Sequence, residues 1–184
     1  MTSRTVTVAN ETREIVLSMQ DLREVTRYAA ESAQEVLEIF ERVHPADSHA
    51  RDAIDAAWTF ARGGKRGKIL RDTALAAQKA ARDAETEAAG EAARAAMCAA
   101  SAAYLHPLAD AHQVKHILGA AAYAARAAEL IAGDDGDVGA AHLQHALRRA
   151  TPAVVAVLER YPAAPPSRMR VGQLLRDLDE ALRV

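Results

Sequence analysis

One 23-residue stretch, Asp110 to Ala132 (DAHQVKHILGAAAYAARAAELIA), limits the possible folds most sharply. At 100° per residue, Val114, Ile117, Leu118, Ala121, Ala125 and Ala128 fall on one side of a helix. His112, His116, Gly119, Tyr123 and Leu130 fall on nearly the opposite side. A surface helix carries a single apolar stripe. This one has an aliphatic face and a second face of His, Gly and Tyr, so it is expected near the centre of the fold, touched on both sides. The second face is either a polar seam in the core or the wall of a pocket.

The neighbours of such a helix must be close-packing. Alanine fills 45 of 184 positions, while aromatic residues make up 4 %. Alanine is the strongest helix former and a poor space filler. An all-α bundle of about seven or eight Ala-rich helices follows, arranged as one domain over residues 18–184. Residues 1–17 are expected to be a short N-terminal arm, extended or hairpin-like, or else a mobile tail, since an isolated hairpin is marginal: Thr5-Val6-Thr7-Val8 and Ile15-Val16-Leu17 are β-branched pieces around Asn10-Glu11.

Stop and start signals divide the rest. Ser18 with Asp21 three residues on is a weaker form of a capping box. Leu22, Val25, Ala29, Ala33, Val36, Leu37 and Phe40 then make one stripe, predicting a helix to Val43 that His44-Pro45 stops. A second helix, capped by Asp47 or Ser48, runs to Arg62 before Gly63-Gly64. A third covers Ile69 to Ala84, and Thr86 caps a fourth from Glu87 to Leu105. Beyond the central helix, one runs from Val138 to Ala150, and Thr151-Pro152 opens a short one to Tyr161. Residues 162–168 are a Pro-rich connector to a docked C-terminal helix with Val171, Leu174, Leu175, Leu178 and Leu182 at helical spacing.

Chemistry is sparse. Lys65-Arg66-Gly67-Lys68 is not a phosphate loop, because the required GxxxxGK[ST] pattern is missing. Gly133 to Asp137 lacks the order and the distal Glu of a calcium loop. His112 and His116 stand one turn apart, a spacing able to hold a metal, but no third ligand is evident, and no metal or other cofactor is expected. Cys98 lies mid-helix among alanines, the setting of an inert thiol. No nucleophile and base can be paired, so an enzyme is not expected. A net charge of −2 gives no pull toward nucleic acid or anionic membrane. With no apolar run approaching the length of a span and no signal-like N-terminus, the protein is expected to be soluble and cytoplasmic.

What remains is binding. Trp58, Tyr104 and Tyr123, with His112 and His116, are candidates to outline a concave ligand pocket. The competing reading is that these few large residues fill a core short of volume. Glu31, Glu35 and Glu38 give the first helix an acidic face, a candidate surface for a basic partner, against the plainer reading of a solvated exterior.

The stretches LREVTRYA (Leu22–Ala29), His44-Pro45-Ala46-Asp47, Ala53 to Ala57 and His116 to Ala124 resemble the Imm5-like immunity proteins of bacteria. The likeness covers roughly Ser18 to Ala132. It implies an α-helical, non-enzymatic protein that neutralises a toxin by binding it. Its matched patterns are helical and turn patterns, so no functional residue comes with it. The acidic first helix suits a basic protein toxin. The His/Tyr face suits a small molecule, making self-resistance by sequestration of an antibiotic the rival reading. A structural helical module, possible as a homodimer, is the third.

Overall fold

The computed structural model describes residues 14–184, and Thr5-Val6-Thr7-Val8 lie outside the described residues. Within them are nine α-helices: α1 (Met19–Gln34), α2 (Leu37–Val43), α3 (His49–Ala61), α4 (Lys68–Asp83), α5 (Glu87–Ser101), α6 (Val114–Ile131), α7 (Gly136–Arg149), α8 (Pro152–Leu158) and α9 (Arg170–Leu182). Two 3-10 turns, Ala102–Tyr104 and Ala111–Gln113, extend α5 and precede α6.

The helix starts follow side chains that satisfy free backbone N–H groups. The Ser18 hydroxyl accepts from the Asp21 amide at 3.0 Å while the Asp21 carboxylate accepts from the Ser18 amide at 2.8 Å, a complete capping box. Thr86 and Thr151 each accept from the amide three residues on, with Pro152 at the first position of α8. Gly63 ends α3 at φ +109°, a left-handed conformation that favours glycine.

The centre is a pair rather than one helix. The α5 helix packs along α6, with α2, α3 and α4 on its other sides. On the far side α6 meets α7 and α9, while α1 lies across both central helices and also touches α3 and α8. Alanine makes this possible: Ala92, Ala93, Ala96, Ala99 and Ala100 of α5 and Ala120, Ala122, Ala124, Ala125 and Ala127 of α6 are all buried. Large side chains sit around this pair, with Tyr28, Phe40, Ile54, Phe60 and Leu70 on one side and Leu174 and Leu178 on the other.

The first helix differs from its sequence reading. The stripe from Leu22 to Val43 is continuous, but the helix breaks at Glu35–Val36, where Val36 adopts φ −115° and ψ 3°. No Gly or Pro marks the break. It turns the chain so that Val36, Leu37 and Phe40 are buried, with α2 packed on α5. Tertiary burial has overridden a good local pattern, and this division accounts for nine helices instead of eight.

Both ends of the described segment are clipped to the bundle. The Ile15 amide donates to Pro107 O at 2.8 Å, and Glu14 bridges Leu108. Ile15-Val16-Leu17 is therefore extended, paired with the turn before α6. The Pro-rich connector is fixed by Asp179, buried on α9, which accepts from the Ala164 amide and from Arg183 Nε, each at 2.8 Å. Glu129, 1 % exposed, accepts from Arg126 at 2.9 Å and from Arg170 Nε at 3.1 Å, joining α6 to α9.

Candidate functional site: a cleft along α6

The His/Gly/Tyr face of α6 opens, in its middle part, onto a cleft of about 620 Å3 between α5, α6 and the start of α9. His116, Gly119 and Tyr123 form the α6 wall; Glu91, Arg94 and Met97 come from α5, and Met169 and Leu175 from the C-terminal segment. Gly119 matters because α5 and α6 approach closely there. A Cβ at Gly119 would stand 3.1 Å from Cys98 Sγ.

A second, more apolar cleft of about 420 Å3 lies next to it, lined by Leu70, Leu75, Tyr104, His106 and, again, Ser101 and His116. His116 and Ser101 are thus the shared edge of two hollows. Both volumes fall in the range that small ligands occupy. Tyr104 is held by a hydrogen bond from its hydroxyl to Gly67 O at 2.9 Å, and the Arg71 guanidinium lies 4.6 Å from its ring centroid. The basic turn before α4 is tied in place by this contact.

Electrostatics around the first cleft are dominated by burial. His116 is pushed below its ordinary value, chiefly by desolvation and further by Lys115, so the neutral imidazole is favoured. Burial raises Tyr123 and Glu91. The Cys98 thiol is pushed up to about 12, leaving a protonated, inert group.

The remaining sequence-selected residues lie elsewhere. His112 is exposed, and its amide and Nδ1 pair with Asp110 Oδ1 at 2.8 and 2.9 Å. Trp58 packs half-buried on α3; its Nε1 donates to Gln34 Oε1 at 3.3 Å, and Arg62 covers the ring at 4.8 Å. Glu31 and Glu35 face α7, where Arg149 pairs with Glu35 and lies 3.7 Å from Glu31. Arg149 Nη2 also donates to Ser32 at 2.9 Å. Glu38 pairs with Arg42 in solvent. Among the described residues, no group of three or more His, Cys, Asp or Glu is placed to hold a metal ion. Nor is any helix long and apolar enough to cross a membrane.

Two features were invisible in the pattern of the sequence. No local pattern marks Glu91 of α5 for burial, yet it is 9 % exposed and lines the cleft. The contribution of Met169 and Leu175 required knowing where α9 docks.

Fold and cleft together define an all-α bundle with a ligand-sized hollow in its flank. The family model described as Imm-5 like putative immunity protein matches residues 16–152, and the chain belongs to that family. No curated protein and no solved structure matches the chain. The matched segment ends at the start of α8, so α9 and its share of the cleft lie beyond it.

Proposed function

We propose that this protein confers immunity inside the cell by sequestering a toxic molecule, without altering it, in the cleft along α6. Membership of a family described as putative immunity proteins supports the immunity role. The observation that favours the cleft is that His116 and Tyr123, from the unusual face of α6, line a hollow of ligand size. Glu31 and Glu35 favour it indirectly. Their charges are already met by Arg149, which lowers what they offer a basic partner.

A polypeptide toxin bound to the acidic side of α1 is the second reading. In its favour, the Glu38 side chain is 79 % exposed.

Native mass spectrometry of the protein, gently purified from its own host, separates the two. Sequestration gives a small-molecule mass increment that disappears in Tyr123→Ala while the helical circular dichroism signal is kept. A co-purifying polypeptide, released by the combined reversal of Glu31, Glu35 and Glu38 to Lys, overturns the cleft reading in favour of the second. A bare mass overturns sequestration in that host. A toxin recovered chemically changed after incubation would make the protein an enzyme instead.

A further inference from the structure

Four buried side-chain polar atoms find no hydrogen-bond partner among the described residues: Arg23 Nε, Tyr28 OH, Arg149 Nε and Glu91 Oε2. Of these four residues, only Glu91 lines the cleft between α5, α6 and α9. Its other oxygen, Oε1, accepts from Arg94 Nη1 at 2.9 Å. Native proteins seldom leave a buried acceptor unpaired, because it has given up water and received nothing in return. Oε2 is closed off from water as the site stands, so a donor carried by a ligand in the hollow reaches it with a turn of the Glu91 carboxyl group.

We propose that the cleft takes a ligand bearing a protonated amine, whose N–H donates to Glu91 Oε2 while its apolar part lies against Met97, Tyr123, Met169 and Leu175. Charge-assisted hydrogen bonds are about twice as strong as neutral ones, which favours an ammonium over an amide or alcohol. The Tyr123 ring adds a surface that attracts cations. Arg94, already paired with Glu91 Oε1, and the exposed Lys115 also line the cleft; their positive charges oppose an ammonium, and the direct bond to Oε2 has to outweigh them. Met169 and Leu175 lie beyond the family-matched segment, so this chain's own C-terminal helix shapes the apolar end of the site. The proposal rests on the cleft being the binding site.

The test is isothermal titration of the full chain with 4-phenylbutylamine, set against the matched alcohol and carboxylate, 4-phenylbutanol and 4-phenylbutanoate. The expected result is that the amine binds most tightly and that Glu91→Gln weakens it by about tenfold or more, with little effect on the alcohol. In 13C NMR, the amine should also lower the apparent pKa of Glu91 in the wild-type chain, a readout that needs no variant. Leu175→Trp, which fills the apolar end, should weaken all three probes.

Each failure has a distinct meaning. Equal binding of the three probes, lost together in Leu175→Trp, removes Glu91 as the anchor but leaves the cleft as a site. An unchanged amine affinity in folded Glu91→Gln does the same. No binding of any probe overturns both the amine proposal and the cleft on which it rests.

Discussion

At the scale of single residues, burial decides what each group does. Gly139 of α7 crosses Glu129 so closely that a Cβ would lie 2.6 Å from Glu129 Cγ and Cδ. Helix propensity alone predicts that Gly139→Ala gains about 1 kcal/mol. Because Glu129 is buried and tied to Arg126 and Arg170, we expect the opposite sign, a loss of about 1–3 kcal/mol in urea unfolding. Gly136→Ala is the control. A Cβ there meets only Arg170 Nη2, at 3.8 Å, and the change should stay within about 0.5 kcal/mol. His116 gives a pH-dependent prediction. Its native pKa lies below the ordinary 6.5, so the unfolded chain takes up a proton that the folded chain refuses. Its contribution is therefore full above about pH 6.5 and declines as the pH falls from there toward the depressed native value. His142, also depressed by burial, acts in the same direction. Burial raises Glu31 and Glu91, which act with the opposite sign nearer carboxylate pH. Unfolding free energies at about pH 7.5 and about pH 5.5 should differ less in His116→Gln than in the wild type. An equal difference would mean that His116 titrates normally.

At the scale of elements, the legible parts were those written locally. Ser18, Thr86 and Thr151 announced their helices because a cap is a short-range hydrogen bond, and Pro152 marked the start of α8. The break at Val36 was not legible, because the gain comes from burying Leu37 and Phe40 against α5, which lies far along the chain. The face of α6 was legible as two-sided, but not as hollow: His116 and Tyr123 reach the cleft while His112, a turn earlier on the same stripe, stays in solvent with Asp110. Glu91 was hidden because its burial depends on how α5 is surrounded. Glu31 and Glu35 belong to a clamp between α1 and α7, with the Arg149 guanidinium 5.8 Å from the Tyr28 ring centroid. Removing it should matter more than removing a surface pair. We expect Arg149→Ala to cost about 1–2 kcal/mol. Arg42→Ala, whose pair with Glu38 stands in water, should change stability by less than about 0.5 kcal/mol. Comparable losses in chemical denaturation would refute this clamp.

At the scale of the whole molecule, the C-terminal helix is part of the core although the family match stops before it. Leu174, Leu178 and Leu182 are buried, Asp179 holds the connector, and Arg170 meets Glu129. Removing residues 163–184 should lower the melting temperature by more than about 10 °C, since each lost leucine contributes about 2 kcal/mol or more. A truncated chain that melts like the full one would make α9 an appendage. Trp58 has a bearing on how all these experiments can be followed. The sole tryptophan sits at the α1–α3 seam, beneath Arg62 and beside Gln34, and does not line the cleft on α6. Its emission is an optical gauge of whether the bundle is closed. A ligand settling beside Tyr123 should leave that emission steady, while urea or a damaging substitution should shift it to longer wavelength. The molecule therefore carries its own internal standard, an emission that holds still while the cleft fills and moves only when the bundle opens.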